Sequence, residues 1–126
     1  MDYLILELQV SQFYLSQAKV EAVKAWFNPD DLLSFVPVPI KKIGNRVFLT
    51  DGHSRAWVAY QAGLKSIPVI WDEDDLDWNF YLACVTACEE RHILTVADLT
   101  ERQLGKKEYE DKWLGFCRKL ADELGQ

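Results

Sequence analysis

Apolar and polar positions follow two different periods along this chain, and the switches between them mark the elements. Tyr3-Leu-Ile-Leu-Glu-Leu-Gln-Val10 is apolar and β-branched around Glu7 and Gln9, which predicts a strand. Val20, Val23 and Phe27 then recur at helical spacing behind Ser16, a residue suited to capping a helix N-terminus, and Asn28-Pro29 ends that helix. Asp30 to Leu33 adds a short turn. Phe35-Val-Pro-Val-Pro-Ile40 carries prolines at 37 and 39, which predicts an extended edge segment or a strand entry, because proline brings no N–H to a central ladder. Gly44-Asn45 turns the chain into Arg46-Val-Phe-Leu-Thr50, so a hairpin is expected with a polar turn at its far end.

The second half is mainly helical in pattern. Ala56, Trp57, Ala59 and Tyr60 support a helix over Ser54 to Gln61, with Gly63 at its C-terminal cap. Ile67-Pro-Val-Ile-Trp71 reads as a strand, and the acidic turn Asp72-Glu-Asp-Asp75 follows. A helix is predicted over Asp77 to Arg91, with Phe80, Cys84, Ala87 and Cys88 on its apolar side. Thr95 and Asp98 have the spacing of a capping pair, and Lys106 to Leu124 forms a last helix that turns Tyr109, Trp113, Phe116, Cys117 and Leu120 inward. These elements compose one α/β (α+β) domain over residues 1–126, a small mixed sheet with surrounding helices, in which residues 76–126 form a helical C-terminal part. Trp57 and Tyr60 have the spacing of core residues.

Composition narrows the class. With 126 residues and 49% hydrophobic positions the chain can close one core and does not read as disordered. Its apolar runs are short and no charged leader precedes one, so neither a membrane span nor a secretory signal is expected. Cys84, Cys88 and Cys117 form no C-x-x-C pair, and an odd number excludes a wholly intramolecular disulfide framework. They are expected to be thiols packed in a reducing cytoplasm rather than zinc ligands. The net charge of −6 is uneven: residues 1–65 carry seven Lys or Arg against six Asp or Glu, and residues 66–126 carry seven against fourteen. The first half tolerates a small anion, whereas the second repels a long polyanion, so autonomous DNA binding is not expected.

The candidate chemistry is concentrated in Asp51-Gly-His-Ser-Arg55, between the end of a strand and the start of a helix. Gly52 removes a Cβ that would block a ligand, and the backbone N–H groups of a helix start favour an anion. Ser54 offers a hydroxyl, and Arg55 a two-pronged contact. Asp51 does not belong against a bare phosphate; it fits a bridging Mg2+ ion or an acceptor hydroxyl. His53 can steady a phosphoryl oxygen or shuttle a proton. The same residues also fit a structural turn, with Asp51 capping the helix and Arg55 paired to the acidic second half. The turn Asp72–Asp75 lacks the glycine and distal glutamate of a calcium loop and reads as solvated.

Phe48-Leu-Thr-Asp-Gly-His-Ser-Arg-Ala56, followed by Ala59-Tyr-Gln-Ala-Gly-Leu64 and Ile67-Pro-Val-Ile70, resembles the core signature of the ParB/sulfiredoxin superfamily over about residues 35–71. The resemblance implies that fold, with the turn cradling the phosphates of a nucleotide. Partition proteins of the superfamily use CTP and add a DNA-binding helical domain, for which this chain has little room. Sulfiredoxins carry a cysteine before the histidine, where this chain has Gly52, so their nucleophile is missing. Asp-Gly-His-Ser-Arg is more similar to the branch of free serine kinases, which transfer phosphate from ADP to free serine.

That branch implies Asp51 and His53 near phosphates and metal, with Gly52, Ser54 and Arg55 in the phosphate-binding turn. It also implies a general base from the N-terminal region, for which Glu21 is the choice and Glu7, Asp30 and Asp31 the other candidates. The expected cofactors are a nucleotide (ADP, ATP or CTP) and Mg2+, and the expected function is nucleotide or phosphometabolite binding, with Mg-dependent phosphoryl transfer to a small hydroxylated acceptor such as serine. The alternative is a non-catalytic nucleotide-sensing or protein-interaction module associated with a nucleic-acid system.

Overall fold

The computed structural model describes residues 1–125. Its main sheet has four strands in the order β1-β5-β3-β4: β1 (Asp2–Leu4), β5 (Ser66–Trp71), β3 (Val38–Ile43) and β4 (Arg46–Leu49). β5 runs antiparallel to β1 and parallel to β3, and β3 and β4 form the predicted antiparallel hairpin. A separate parallel pair, β2 (Leu15–Ser16) with β6 (Gln103–Leu104), ties the C-terminal part to the entry of the first helix. The helices are α1 (Gln17–Trp26), α2 (His53–Gln61), α3 (Trp78–Glu90), α4 (Lys106–Tyr109) and α5 (Gly115–Glu123), the last two joined by a π-helical turn over Glu110–Leu114. The protein is therefore a small mixed α+β domain, and among the described residues no helix is long and apolar enough to cross a membrane.

Two strand expectations are corrected. The strand expected over Tyr3–Val10 stops at Leu4, and a 3-10 turn over Ile5–Glu7 carries the chain to the opposite edge of the sheet. There Gln9 pairs with Phe48, its N–H donating to the Val47 carbonyl and its carbonyl accepting from the Leu49 N–H, each at 2.9 Å. With β1 on one edge and Gln9 on the other, this crossing curls the sheet. Ile5, Leu8 and Val10 are buried along it, so the apolar pattern serves a crossing as well as it would serve a strand. The second correction concerns Pro39, which lies inside β3, a central strand. The β3–β4 ladder begins at Ile40 opposite Leu49, and the Pro39 carbonyl accepts the Thr50 N–H at 3.1 Å, so its missing N–H interrupts no rung there.

The helix starts follow their caps. Ser16 accepts the Lys19 N–H at 3.3 Å, Asp77 accepts the Phe80 N–H at 3.1 Å, and Thr95 with Asp98 forms a reciprocal capping box over a 3-10 turn. The core lies inside the curl, where Leu8, Leu15, Val20, Ile40, Leu49 and Ile67 are fully buried beneath α1 and α2. Trp57 is core as expected, its indole N–H donating to Thr100 at 3.2 Å. On the outer face Phe48 is closed off by Trp78, whose ring also packs against Tyr81 and has the Lys41 ammonium 4.4 Å from its centroid. All three cysteines are free thiols, Cys84 and Cys88 buried and Cys117 half-buried. Burial pushes the Cys88 thiol up to about 12.

Candidate functional site

β4 ends at Leu49, the chain turns through Thr50 and Asp51, and α2 begins at His53 with Gly52 as its N-cap. Gly52 is left-handed (φ 73°, ψ 25°), and no side chain caps this helix, unlike α1 and α3. Asp51 is exposed and does not fill that role, so the N–H groups from Gly52 to Arg55 stay open, because an α-helix supplies no internal acceptor for its first turn. They border a cavity of about 310 Å3 lined by the whole Asp51–Arg55 turn together with Gln12 and, from α1, Lys19, Ala22 and Val23. The structure thus brings Asp51, Gly52, His53, Ser54 and Arg55 to one cleft and adds Lys19 and Gln12.

Glu21, the expected base, does not line this cleft. Lys19 and Val23, four apart, share the face of α1 turned toward α2, and a residue two positions beyond Lys19 points the opposite way. Glu21 is 66% exposed in its side chain and lies 3.7 Å from Lys24 Nζ. The other candidates are also elsewhere, Asp30 and Asp31 in a separate cavity with Leu32 and Leu33, and Glu7 in an apolar groove with Leu4 and Tyr60. Among the described residues Asp51 is the one carboxylate of the cleft.

His53 is 3% exposed. Its Nε2 accepts the Ser11 N–H at 3.0 Å, which puts the ring proton on Nδ1, and among the described residues Nδ1 is the buried side-chain polar atom that has no partner. Ser11 is fixed in turn, its hydroxyl donating to the Leu49 carbonyl at 2.6 Å. Burial pushes His53 down to about 3, against the pull of the Asp51 carboxylate and with a smaller push from Lys19. The imidazole is therefore neutral at physiological pH, and the expected proton shuttle is corrected to a fixed hydrogen-bond donor.

Among the described residues Arg55 makes no ion pair with the acidic half. Its Nη1 donates to the Val36 and Pro37 carbonyls, each at 2.9 Å, which leaves the edge formed by Nε and Nη2 free of those contacts. The guanidinium lies over Gly52, where a Cβ would fall 2.7 Å from Nη2 and 3.0 Å from Cζ. The glycine thus makes room for Arg55 rather than for a ligand directly. Burial lowers the Arg55 pKa, and the Asp51 carboxylate opposes that shift.

Asp51 also borders a second cavity of about 460 Å3, lined by Thr50, Trp71, Asp72, Asp74 and Tyr81 among others. Asp72 is held there by the Thr50 hydroxyl, which donates to it at 2.6 Å, and it accepts the Asp74 N–H at 3.0 Å. The acidic turn is thus partly a bracing element and not only a solvated one. A third cavity of about 170 Å3, with Phe80, Tyr81 and Trp113 in its walls, shares Gln12 with the cleft. Among the described residues no group of three or more His, Cys, Asp or Glu is placed to hold a metal. Magnesium commonly takes one or two protein carboxylates and completes its shell with phosphate oxygens and water, and Asp51 fits the first of those roles alone.

Sequence reasoning found the turn and missed Ser11 and Gln12, and the structure adds Lys19 from α1. Lys19 had a readable signal, a cation on the same helical face as Val23. Ser11 and Gln12 had none, because they reach the turn only through the crossing at Gln9.

No family model matches the chain, and no curated protein does. Among solved structures it is similar to the crystal structure of protein Atu1540 from Agrobacterium tumefaciens, at 15% identity and a TM-score of 0.48, covering 79% of this chain. The chain spans 60% of the length of that neighbour.

Proposed function

We propose that this cleft binds the phosphate of a nucleotide or phosphometabolite, in a domain of the ParB/sulfiredoxin type. The observation that carries the reading is the uncapped N-terminus of α2, where unpaired N–H groups share one cavity with Lys19, Arg55 and the neutral donor His53. Such a terminus attracts anions through its N–H groups and its dipole, and the two cations add charge where no competing ion pair holds Arg55. In this reading Gly52, His53, Ser54 and Arg55 hold the phosphate. Asp51 faces either a bound Mg2+, which would neutralise phosphoryl oxygens, or the hydroxyl of an acceptor such as free serine.

The test incubates the protein with ADP, ATP or CTP, with and without Mg2+ and serine, and follows nucleotide and phosphoserine by phosphorus NMR. Turnover that Asp51→Asn abolishes while nucleotide binding persists identifies a small-molecule kinase. A second reading, a non-catalytic nucleotide-sensing or protein-interaction module acting beside a nucleic-acid system, is favoured by the positions of Glu7, Glu21, Asp30 and Asp31 outside the cleft. Binding without turnover selects it, and failure of every phosphorylated ligand to bind rejects both.

A further inference from the structure

We infer that the cleft is a receptor for a terminal, doubly ionised phosphoryl group, and that the Ser11 amide makes it so by holding His53 as a donor through Nδ1. This rests on the phosphate reading above and specifies the chemical class of its ligand. Ser11 N–H points at Nε2 from 3.0 Å and allows no proton there. The ring proton is therefore on Nδ1, in a residue that lines the cleft beside the opening turn of α2. A ring that is 3% exposed, with a buried donor facing no acceptor, is costly unless a ligand oxygen completes it.

The groups around that point share one polarity. Among the described residues, the first-turn N–H groups, His53 Nδ1–H, Lys19 and Arg55 can only donate, Ser54 and Gln12 can do either, and Asp51 is the one ionised acceptor, exposed at the rim. A phosphate monoester dianion offers three charged oxygens to this set. A singly protonated phosphate would set a P–OH against donors, and a phosphodiester offers two such oxygens and a single charge. The charged groups facing His53 are Lys19 from α1, Asp51 from the turn and Arg55 from α2. Tyr81 and Tyr109, which also feel Asp51, are shifted above the ordinary tyrosine range and stay neutral.

The probes are methyl phosphate, sulfate and dimethyl phosphate, titrated by calorimetry between about pH 5 and 8, where ordinary Lys, Arg and Asp keep their charge. Methyl phosphate, whose second ionisation lies near 6, is expected to bind about tenfold more weakly at the acid end. Sulfate, a dianion throughout, is expected to change by about twofold or less, and dimethyl phosphate to bind at least about tenfold more weakly than methyl phosphate at pH 8. His53→Asn places an amide nitrogen near the Nδ1 position and His53→Gln places one near Nε2, so Asn is expected to restore most of the affinity that Gln loses. In the unsubstituted protein, nitrogen-15 NMR should show the ring proton on Nδ1.

Sulfate affinity falling as pH rises through about 6.5, the unperturbed histidine value, would overturn the inference. So would equal binding of the diester, a proton on Nε2, or Gln equalling Asn. Binding of none of the three anions defeats the phosphate reading itself, a result distinct from each of these.

Discussion

Gly52 and His53 occupy adjacent positions and fail in different ways when changed. Gly52→Ala forces a side chain into left-handed backbone, a cost of about 1–2 kcal/mol, and drives its Cβ into the Arg55 guanidinium. Gly52→Asn tolerates the backbone better but meets the same guanidinium. Urea denaturation is therefore expected to rank Asn as the more stable, while methyl phosphate titration shows both variants weakened. For His53 the folded pKa of about 3 lies below the ordinary 6.5, so on acidification the unfolded chain takes the proton first. Its contribution is complete above about pH 6.5 and is lost as pH falls toward 3, at a limiting slope of about 1.4 kcal/mol per pH unit. His53→Gln removes that slope, so the difference in unfolding free energy between the two proteins should narrow steadily across the window. A constant difference would mean that the imidazole takes its proton as readily in the fold as in the unfolded chain.

Helices α1 and α2 show the same contrast on a larger piece of structure. Ser16 closes the start of α1 with its own oxygen, whereas α2 has no such cap. Ser16→Ala is expected to cost about 1 kcal/mol of stability and to leave methyl phosphate affinity unchanged, since the cap lies outside the cleft. A loss of affinity would mean that the orientation of α1, and with it Lys19, depends on the cap. Such caps also explain why the helices were legible. Ser16, Asp77 and the Thr95–Asp98 pair each mark a boundary through a local hydrogen bond, and α2 was legible from its apolar spacing and the turn before it. The crossing from β1 to Gln9 was not legible, because apolar residues at Ile5, Leu8 and Val10 satisfy a strand and a buried crossing alike. Pro39 in a central strand was misread for a related reason: a proline is excluded by the partner it would have to meet, and here the ladder to β4 starts one residue later while Pro39 pairs with Ile70 of β5. The turn was read from its own residues, whereas the His53 proton was not, since it is set by the amide of Ser11, far away in sequence.

Charge and curvature together decide which anions reach this turn. The domain carries a net charge of −6, and fourteen of its twenty carboxylates lie in residues 66–126. Four of these, Asp72 to Asp75, follow the strand beside the turn, and three of them, Asp72, Glu73 and Asp74, line the cavity that shares Asp51 with the cleft. A small ligand passes between them at little cost, but a duplex lays many phosphates against the same surface at once, where no row of cations answers them. Occupancy by a ligand that prefers the folded state adds RT ln(1 + [L]/Kd), about 2.7 kcal/mol at a hundredfold excess over Kd. For a domain of this size that corresponds to a rise in Tm of about 10 °C. Methyl phosphate at that excess should produce it, and Lys19→Ala should reduce it. Duplex DNA at the same total phosphate should give no rise, because it lacks an accessible terminal dianion and meets the acidic wall. Equal shifts from both would place the binding surface outside this cleft. A shift from DNA that Lys19→Ala leaves untouched would locate it away from α1 altogether.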